Sequence, residues 1–482
     1  MKKISAWLKK IFDKDYGPKN IFHNILFLLI VALMVYRCFS VDIHECKTLE
    51  YPRDITYESQ YIKQFDAFVK GQLHLDVEAD AGLAELENPY DRDARDEAGI
   101  YYHWDHAYYE GKYYSYFGIA PIFTVYFPCY LISGEIPNDA YACRMLAVYA
   151  VIFSAFAVRE LLLFFCKRIN LYLFLTGVGA FVSVSGVRMA LICSDAYYIP
   201  VVSALGCSMA FVFFLFGGLR EKSSVPRRIF FVLSSAALAL TVLSRPTAAL
   251  MCASLLPVCL VYVIREKQEK KKTVYDVCAF ALPVSLFASA VMWYNYARFG
   301  SILDFGSAYQ LTVADISKNK PDTGFAFSAL FSYFLHPMWE NQVGPGITLS
   351  GQLVMPPDAR YVYGDSYVGA FAMGLPAAVL LCGRYGRLDT GGAKVYKLCA
   401  VYSVCAMSLA VAFFDFCYAG VNMRYVYDIV PMLSLAGCAV LTDMHGIYKG
   451  KKKLLFTAVC ILFFIAAFAA SGIIEKFFIS RM

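Results

Sequence analysis

Charge is what this chain has least of. Only 17% of its 482 residues are Asp, Glu, Lys or Arg, against about a quarter in soluble domains. A water-exposed surface over most of the chain is thereby excluded, and the charges are confined to short islands. No Cys-x-x-Cys pair occurs, and nearly all sixteen cysteines (Cys166, Cys207, Cys252, Cys259, Cys399, Cys405 and Cys460 among them) fall inside apolar runs. Buried cysteine behaves as a small hydrophobe, so neither a disulfide framework nor a zinc site is supported. No internal repeat is visible, and no small-residue cleavage site follows the first apolar run, so that run is expected to be retained as a span.

What is present is hydrophobic length. The chain is 59% hydrophobic and 16% aromatic. Apolar runs of about 18 residues or more can cross roughly 30 Å of hydrocarbon as helices. The expected class is an all-α polytopic membrane protein of about eleven spans. These are 22–40, 141–165, 170–187, 196–217, 229–244, 246–264, 275–295, 366–382, 397–414, 427–443 and 454–473. Residues 1–20 form a basic cytoplasmic segment, either an interfacial helix or a disordered tail, and 21–482 a single membrane domain. The net charge of +6 reflects cytoplasmic loops and gives no hint of nucleic acid.

A further run, 117–133, is short and interrupted by Pro121 and Pro128. The positive-inside rule decides its fate. If it does not cross, the clusters at 167–168, 220–228, 265–272, 384–397 and 449–453 share one side with the lysine-rich N-terminus. It is therefore read as an interfacial or re-entrant helix. This makes the C-terminus external and leaves two large external loops, about 41–140 and 296–365. Location in a plasma membrane follows from the same reading.

The first external loop is acidic and rich in tyrosine. Apolar residues at 57, 61, 65 and 68 mark one face of a surface helix ending near Gly71. Further on, His103, Trp104, Asp105 and His106 precede Tyr113, Tyr114 and the re-entrant run. The tyrosines fit an interfacial belt equally well. His103, Asp105 and His106 are spaced irregularly for a metal, with no fourth ligand. A solvated loop carboxylate and a general base at the membrane surface are the alternatives for Asp105. Arginines at outer span ends (Arg144, Arg245, Arg298, Arg424) pair with Asp195, Asp415 or Asp428, or meet an anionic headgroup, since guanidinium matches phosphate geometry.

These stretches resemble the GT-C glycosyltransferases, the group that includes protein O-mannosyltransferases and lipid A aminoarabinose transferases. The matching segments are Ala67 to Leu73, Asn88-Pro89-Tyr90-Asp91, Trp104-Asp105, Gly111 to Tyr114 and Tyr116-Phe117-Gly118. Ser244-Arg245-Pro246, Asn295 to Ser301, and Arg424-Tyr425 with Asp428 and Pro431 complete the set. The resemblance implies transfer of a sugar from a polyprenyl-phosphate donor, with inversion, to an acceptor hydroxyl on the external face. The acceptor is a polymer, a lipid or a protein. It implies a catalytic carboxylate in the first external loop; Asp105, Glu58 and Asp54 are the candidates. Many members carry an adjacent Asp-Glu pair shortly after the first span, ahead of a surface helix; here that region offers Asp54 and Glu58 without an adjacent pair. The donor phosphate falls to Arg298, Arg424, Arg245 and Tyr425, and sugar contacts to Trp104, Tyr113, Tyr114 and His103. No cofactor is required, and a divalent cation on the phosphate is compatible. The rival expectations are a transporter or lipid flippase, and a non-catalytic lipid-binding envelope-assembly protein.

Overall fold

Asparagine opens the membrane helices where the chain leaves the polar islands. The side chains of Asn20, Asn138, Asn170 and Asn422 each accept from backbone amides in the first turn of the helix that follows. An orphan amide at the membrane edge is thus satisfied before the apolar run begins. The computed structural model describes residues 14–41, 59–265, 270–312, 315–318, 324, 326–336, 362–363, 368–382 and 394–479. The N-terminal 1–13, half of 296–365, and both Asp54 and Glu58 lie outside the described residues.

Among the described residues, ten helices are long and apolar enough to cross a membrane. They are Ile21–Phe39, Asp139–Phe165, Leu171–Cys193, Ile199–Arg220, Ser224–Ser244, Pro246–Arg265, Lys271–Phe299, Val395–Ala419, Met423–His445 and Gly450–Lys476. The chain is a multi-pass membrane protein. Exposed Leu282, Leu286 and Trp293 on the seventh helix and Leu29 and Leu33 on the first are the lipid-facing surface such a chain requires.

The segment expected as an eleventh span, 366–382, is broken into the short pieces Ala370–Met373, Leu375–Ala378 and Val379–Cys382. Gly374 and Pro376 interrupt it, and close packing explains why small residues stand there. A side chain on Gly437 would overlap the Pro376 carbonyl, and one on Gly374 would crowd Ser434. The fragment therefore lies alongside Met423–His445, running in the same direction.

The two ends of the bundle are chemically distinct. At one end, Tyr16 and Lys14 bond to Ile169 and Leu171, Arg220 and Arg159 meet Glu160, and Arg227 and Arg228 meet Asp276. Lys397 joins Asp443 at 2.5 Å on the same level. At the other end, Arg188 donates to Glu475 in the last helix and to the Arg37 carbonyl in the first. The first and last helices therefore run parallel.

The run 117–133 does not span. It forms a π-turn, Ile122–Tyr126, followed by the helix Phe127–Ser133. Pro128 has no N–H for the usual bond one turn back, and the Phe127 amide reaches to Ile122 instead. Twelve residues rise only about 18 Å as a helix, well short of the hydrocarbon thickness.

Outside the bundle, the first external loop builds its own small core. The helix Gln60–Val69, capped by Ser59, presses Tyr61 and Phe65 against residues 117–133. A hairpin, β1 (Ala107–Tyr109) with β2 (Lys112–Tyr114), pairs Tyr108 with Tyr113. Leu75, Leu83, Ile100, Tyr108, Tyr113 and Leu311 pack together beneath it. Arg95, fully buried, donates to the Pro89 and Thr312 carbonyls at 2.7 and 2.8 Å, stitching the two external loops together.

Candidate functional site

Asp105 sits where the external loops and the bundle meet. Its backbone adopts φ +56°, a left-handed conformation that Asp tolerates better than most residues. The surrounding bonds hold it there. Its amide donates to the Leu311 carbonyl at 3.0 Å, the Leu311 amide returns to the His106 carbonyl at 3.0 Å, and Gln60 Nε2 donates to the Asp105 carbonyl at 2.7 Å. Three segments distant in sequence thus fix one residue.

The Asp105 carboxyl is buried and receives two hydroxyl donors, Tyr197 on Oδ2 and Thr312. Burial pushes its proton affinity above the usual carboxylate range, while Tyr197, Arg424 and Thr312 oppose that rise. The Tyr197 ring lies under the Arg424 guanidinium, 4.5 Å from its centroid. Arg424 also lies over the Tyr425 ring at 5.2 Å and donates to its hydroxyl at 3.3 Å. An acid and a cation, 319 residues apart in the chain, thus share one tyrosine. Tyr116 completes the group as an electrostatic neighbour of both Asp105 and Arg424.

Asp195 supports this arrangement. Its Oδ1 accepts from the Tyr197 and Tyr198 amides, both at 2.9 Å, which sets the turn that aims Tyr197 at Asp105. Burial pushes the Asp195 carboxyl up to about 6.

Other expected site residues sit elsewhere. Arg245 is closed into a two-point ion pair with Asp428, at 2.7 and 2.6 Å, with Thr247 on the same carboxylate at 2.8 Å. Its extended backbone forms the corner between two helices, with Pro246 in the first turn of the second. Gly118 approaches this corner so closely that a side chain would overlap the Leu243 and Ser244 carbonyls. The re-entrant segment is thereby locked onto the Ser244-Arg245-Pro246 bend.

Arg298 is buried next to the end of the hairpin. It donates to the Ser115 carbonyl and to Asn295, each at 2.9 Å, and lies 3.8 Å from the Tyr294 centroid. Tyr114 packs on Phe299 beside it, and Tyr113 is fully buried in the loop core. Trp104 is half-buried, with Arg92 above it at 5.8 Å. The structure thus joins Asp105 to Arg424 and Tyr425, and places Arg245, Arg298, Tyr113 and Tyr114 among the protein's own partners.

The two histidines are held neutral. Burial lowers His103 to about 4 and His106 to about 3. His106 Nδ1 donates to the Trp104 carbonyl at 2.8 Å, and both rings pack edge-on against Tyr113. Among the described residues, no group of three His, Cys, Asp or Glu converges as a metal site would require.

Sequence reasoning did not single out Tyr197. It lies in a short break between two apolar runs, and the only local signal is the adjoining Asp195 at membrane depth.

No protein-family model matches this chain, and no curated protein matches it. Among solved structures, it is similar to the apo oligosaccharyltransferase of Archaeoglobus fulgidus, at 11% identity and TM-score 0.48, over 94% of this chain and 56% of that one. The same organism's oligosaccharyltransferase AglB, in complex with an inhibitory peptide and a dolichol-phosphate, gives 10% and 0.49 over 94% and 55%. ArnT from Cupriavidus metallidurans bound to undecaprenyl phosphate gives 11% and 0.43, over 95% of this chain and 77% of that one. The chain spans little more than half the length of the archaeal proteins. At such low identity, function rests on the residues of the site.

Proposed function

We propose that this protein is a membrane glycosyltransferase of the GT-C type, moving a sugar from a polyprenyl-phosphate donor to an acceptor hydroxyl at the face that carries Asp105. The observation that supports it is the convergence of a buried carboxyl and the half-buried Arg424 on Tyr197. A base needs a proton affinity raised toward neutrality, and burial supplies that at Asp105. A leaving phosphate needs a fixed cation, and Arg424 is held between two aromatic faces, with no direct ion pair among the described residues.

In the proposed step, Asp105 takes the proton of the acceptor hydroxyl as its oxygen bonds to the anomeric carbon. The bond from that carbon to the phosphate oxygen breaks, and the electron pair leaves with the polyprenyl phosphate. Attack opposite the leaving group inverts the anomeric centre. Arg424, with the Tyr425 hydroxyl, meets the charge that develops on the phosphate. Tyr197 keeps acid and cation in register. Arg245 and Arg298 contribute by holding the bend and the hairpin that frame the site.

The test is transfer of label from radioactive polyprenyl-phosphate sugars, with purified protein and native membrane extract as acceptor source. Label entering a product in wild type, but not in Arg424→Gln, is expected. Label that never leaves any donor tested would favour a transporter or a lipid-binding scaffold.

A further inference from the structure

A second cluster of positive charge lies at the same end of the bundle, away from Asp105. Arg37 closes the first helix, Arg144 stands in the first turns of Asp139–Phe165, and Arg188 lies in Val187–Cys193. All three are electrostatic neighbours of the Cys38 thiol that lies among them. Glu475 is the one carboxylate that pairs with them among the described residues, and Arg188 Nε holds it at 2.7 Å.

The remaining donors are only partly used. Arg144 Nη2 bonds the Val41 carbonyl at 3.0 Å, and Arg37 lies over the Phe468 ring at 4.3 Å. Arg37 Nη1 and Arg144 Nε are buried with no hydrogen-bond partner among the described residues. Buried guanidinium N–H groups without an acceptor are costly, and three cations against one anion at a membrane edge compound that cost. An absent anion would satisfy both.

The surroundings identify its kind. The first helix presents exposed Leu33, Tyr36 and Phe39 beside the cluster, so the site opens toward lipid rather than into the protein. Tyr427 neighbours Glu475 on one side and Tyr198 on the other, and Tyr198 neighbours Asp195 and Arg424. These two buried rings separate the cluster from the site described above.

We infer that Arg37, Arg144 and Arg188 bind the phosphodiester headgroup of an anionic membrane lipid, wedged between the first helix, the last helix and Asp139–Phe165. Arginine suits such a diester because its planar donors match two phosphate oxygens at once. The bound lipid tethers the first helix to the bundle, next to the start of the first external loop.

The experiment reconstitutes wild-type protein in vesicles of phosphatidylglycerol and phosphatidylcholine in equal parts. Lipid retained after extraction is then counted by native mass spectrometry. Wild type is expected to retain phosphatidylglycerol in preference to phosphatidylcholine. Arg37→Gln with Arg144→Gln should retain about tenfold less of it, the loss of one or two charge-assisted contacts. Arg37→Lys, which keeps the charge, should retain most of it. Should the double variant not fold, Arg37→Gln alone provides the same reading, since its guanidinium makes no ion pair among the described residues. Equal retention of the two lipids, or unchanged retention in the glutamine variants, would overturn the inference. So would displacement of the lipid by inorganic phosphate, which would assign the cluster to a free anion.

Discussion

Replacing Tyr197 with Phe removes one oxygen and leaves the ring beneath Arg424. The hydroxyl is a donor to the Asp105 carboxylate, and a hydrogen bond to a buried charged group is worth about 1.5–3 kcal/mol. The sign follows from the role of the bond. Tyr197 stabilises the ionised form and opposes burial, so its loss favours the protonated form. A base that holds its proton more tightly is inactive over a wider acidic range. The acid limb of the transfer-rate profile should therefore move to higher pH, with donor binding little changed. Initial rates of label transfer across a pH series measure this directly. An acid limb that stays in place, or moves to lower pH, would refute the coupling of Tyr197 to a catalytic Asp105.

The Arg245–Asp428 pair should behave as a buried unit. Asp428→Asn or Arg245→Met alone leaves an uncompensated charge and should cost about 3–5 kcal/mol, read as thermal unfolding in detergent, while Arg245→Met with Asp428→Leu recovers most of the loss. The first external loop should be acid-sensitive. His103 and His106, held to about 4 and about 3 in the fold, regain an ordinary affinity near 6.5 when unfolded. Their contribution is thus full above pH ~6.5 and is lost as the pH falls toward those folded values. Hydrogen exchange across 75–113 should quicken over that window, and His106→Phe should flatten the dependence. Gly118→Ala should cost about 1–3 kcal/mol and lower transfer, because a methyl group there meets the Leu243 and Ser244 carbonyls. Unaltered transfer and stability in that variant would contradict the locked bend.

Hydrophobic length made the spans legible, and the charge clusters gave their arrangement, because both are local properties that bilayer thickness converts into structure. Pro121 and Pro128 likewise announced the re-entrant segment. The broken crossing at 370–382 was half visible. Gly374 and Pro376 are breakers, but their tolerance depends on Gly437 in another helix. The site was legible only in part for the same reason. Asp105 stood out beside two histidines, and Arg424 as an arginine at an outer span end. That Tyr197 would join them depends on packing between segments 92 residues apart, and tyrosine is common throughout this chain. Arg245, Arg298 and Arg424 look alike in sequence. Only the fold gives the first a carboxylate, the second a backbone carbonyl, and the third a pair of aromatic faces.

The most direct test of the account is label transfer by Asp105→Asn, measured beside wild type at equal donor occupancy. The substitution keeps the shape of the side chain and its place on Tyr197 but cannot accept the proton. A loss of about 10²–10⁴-fold in rate, with donor binding retained, is the predicted result. Transfer at the wild-type rate would contradict it, and would move the base to Glu58 or Asp54.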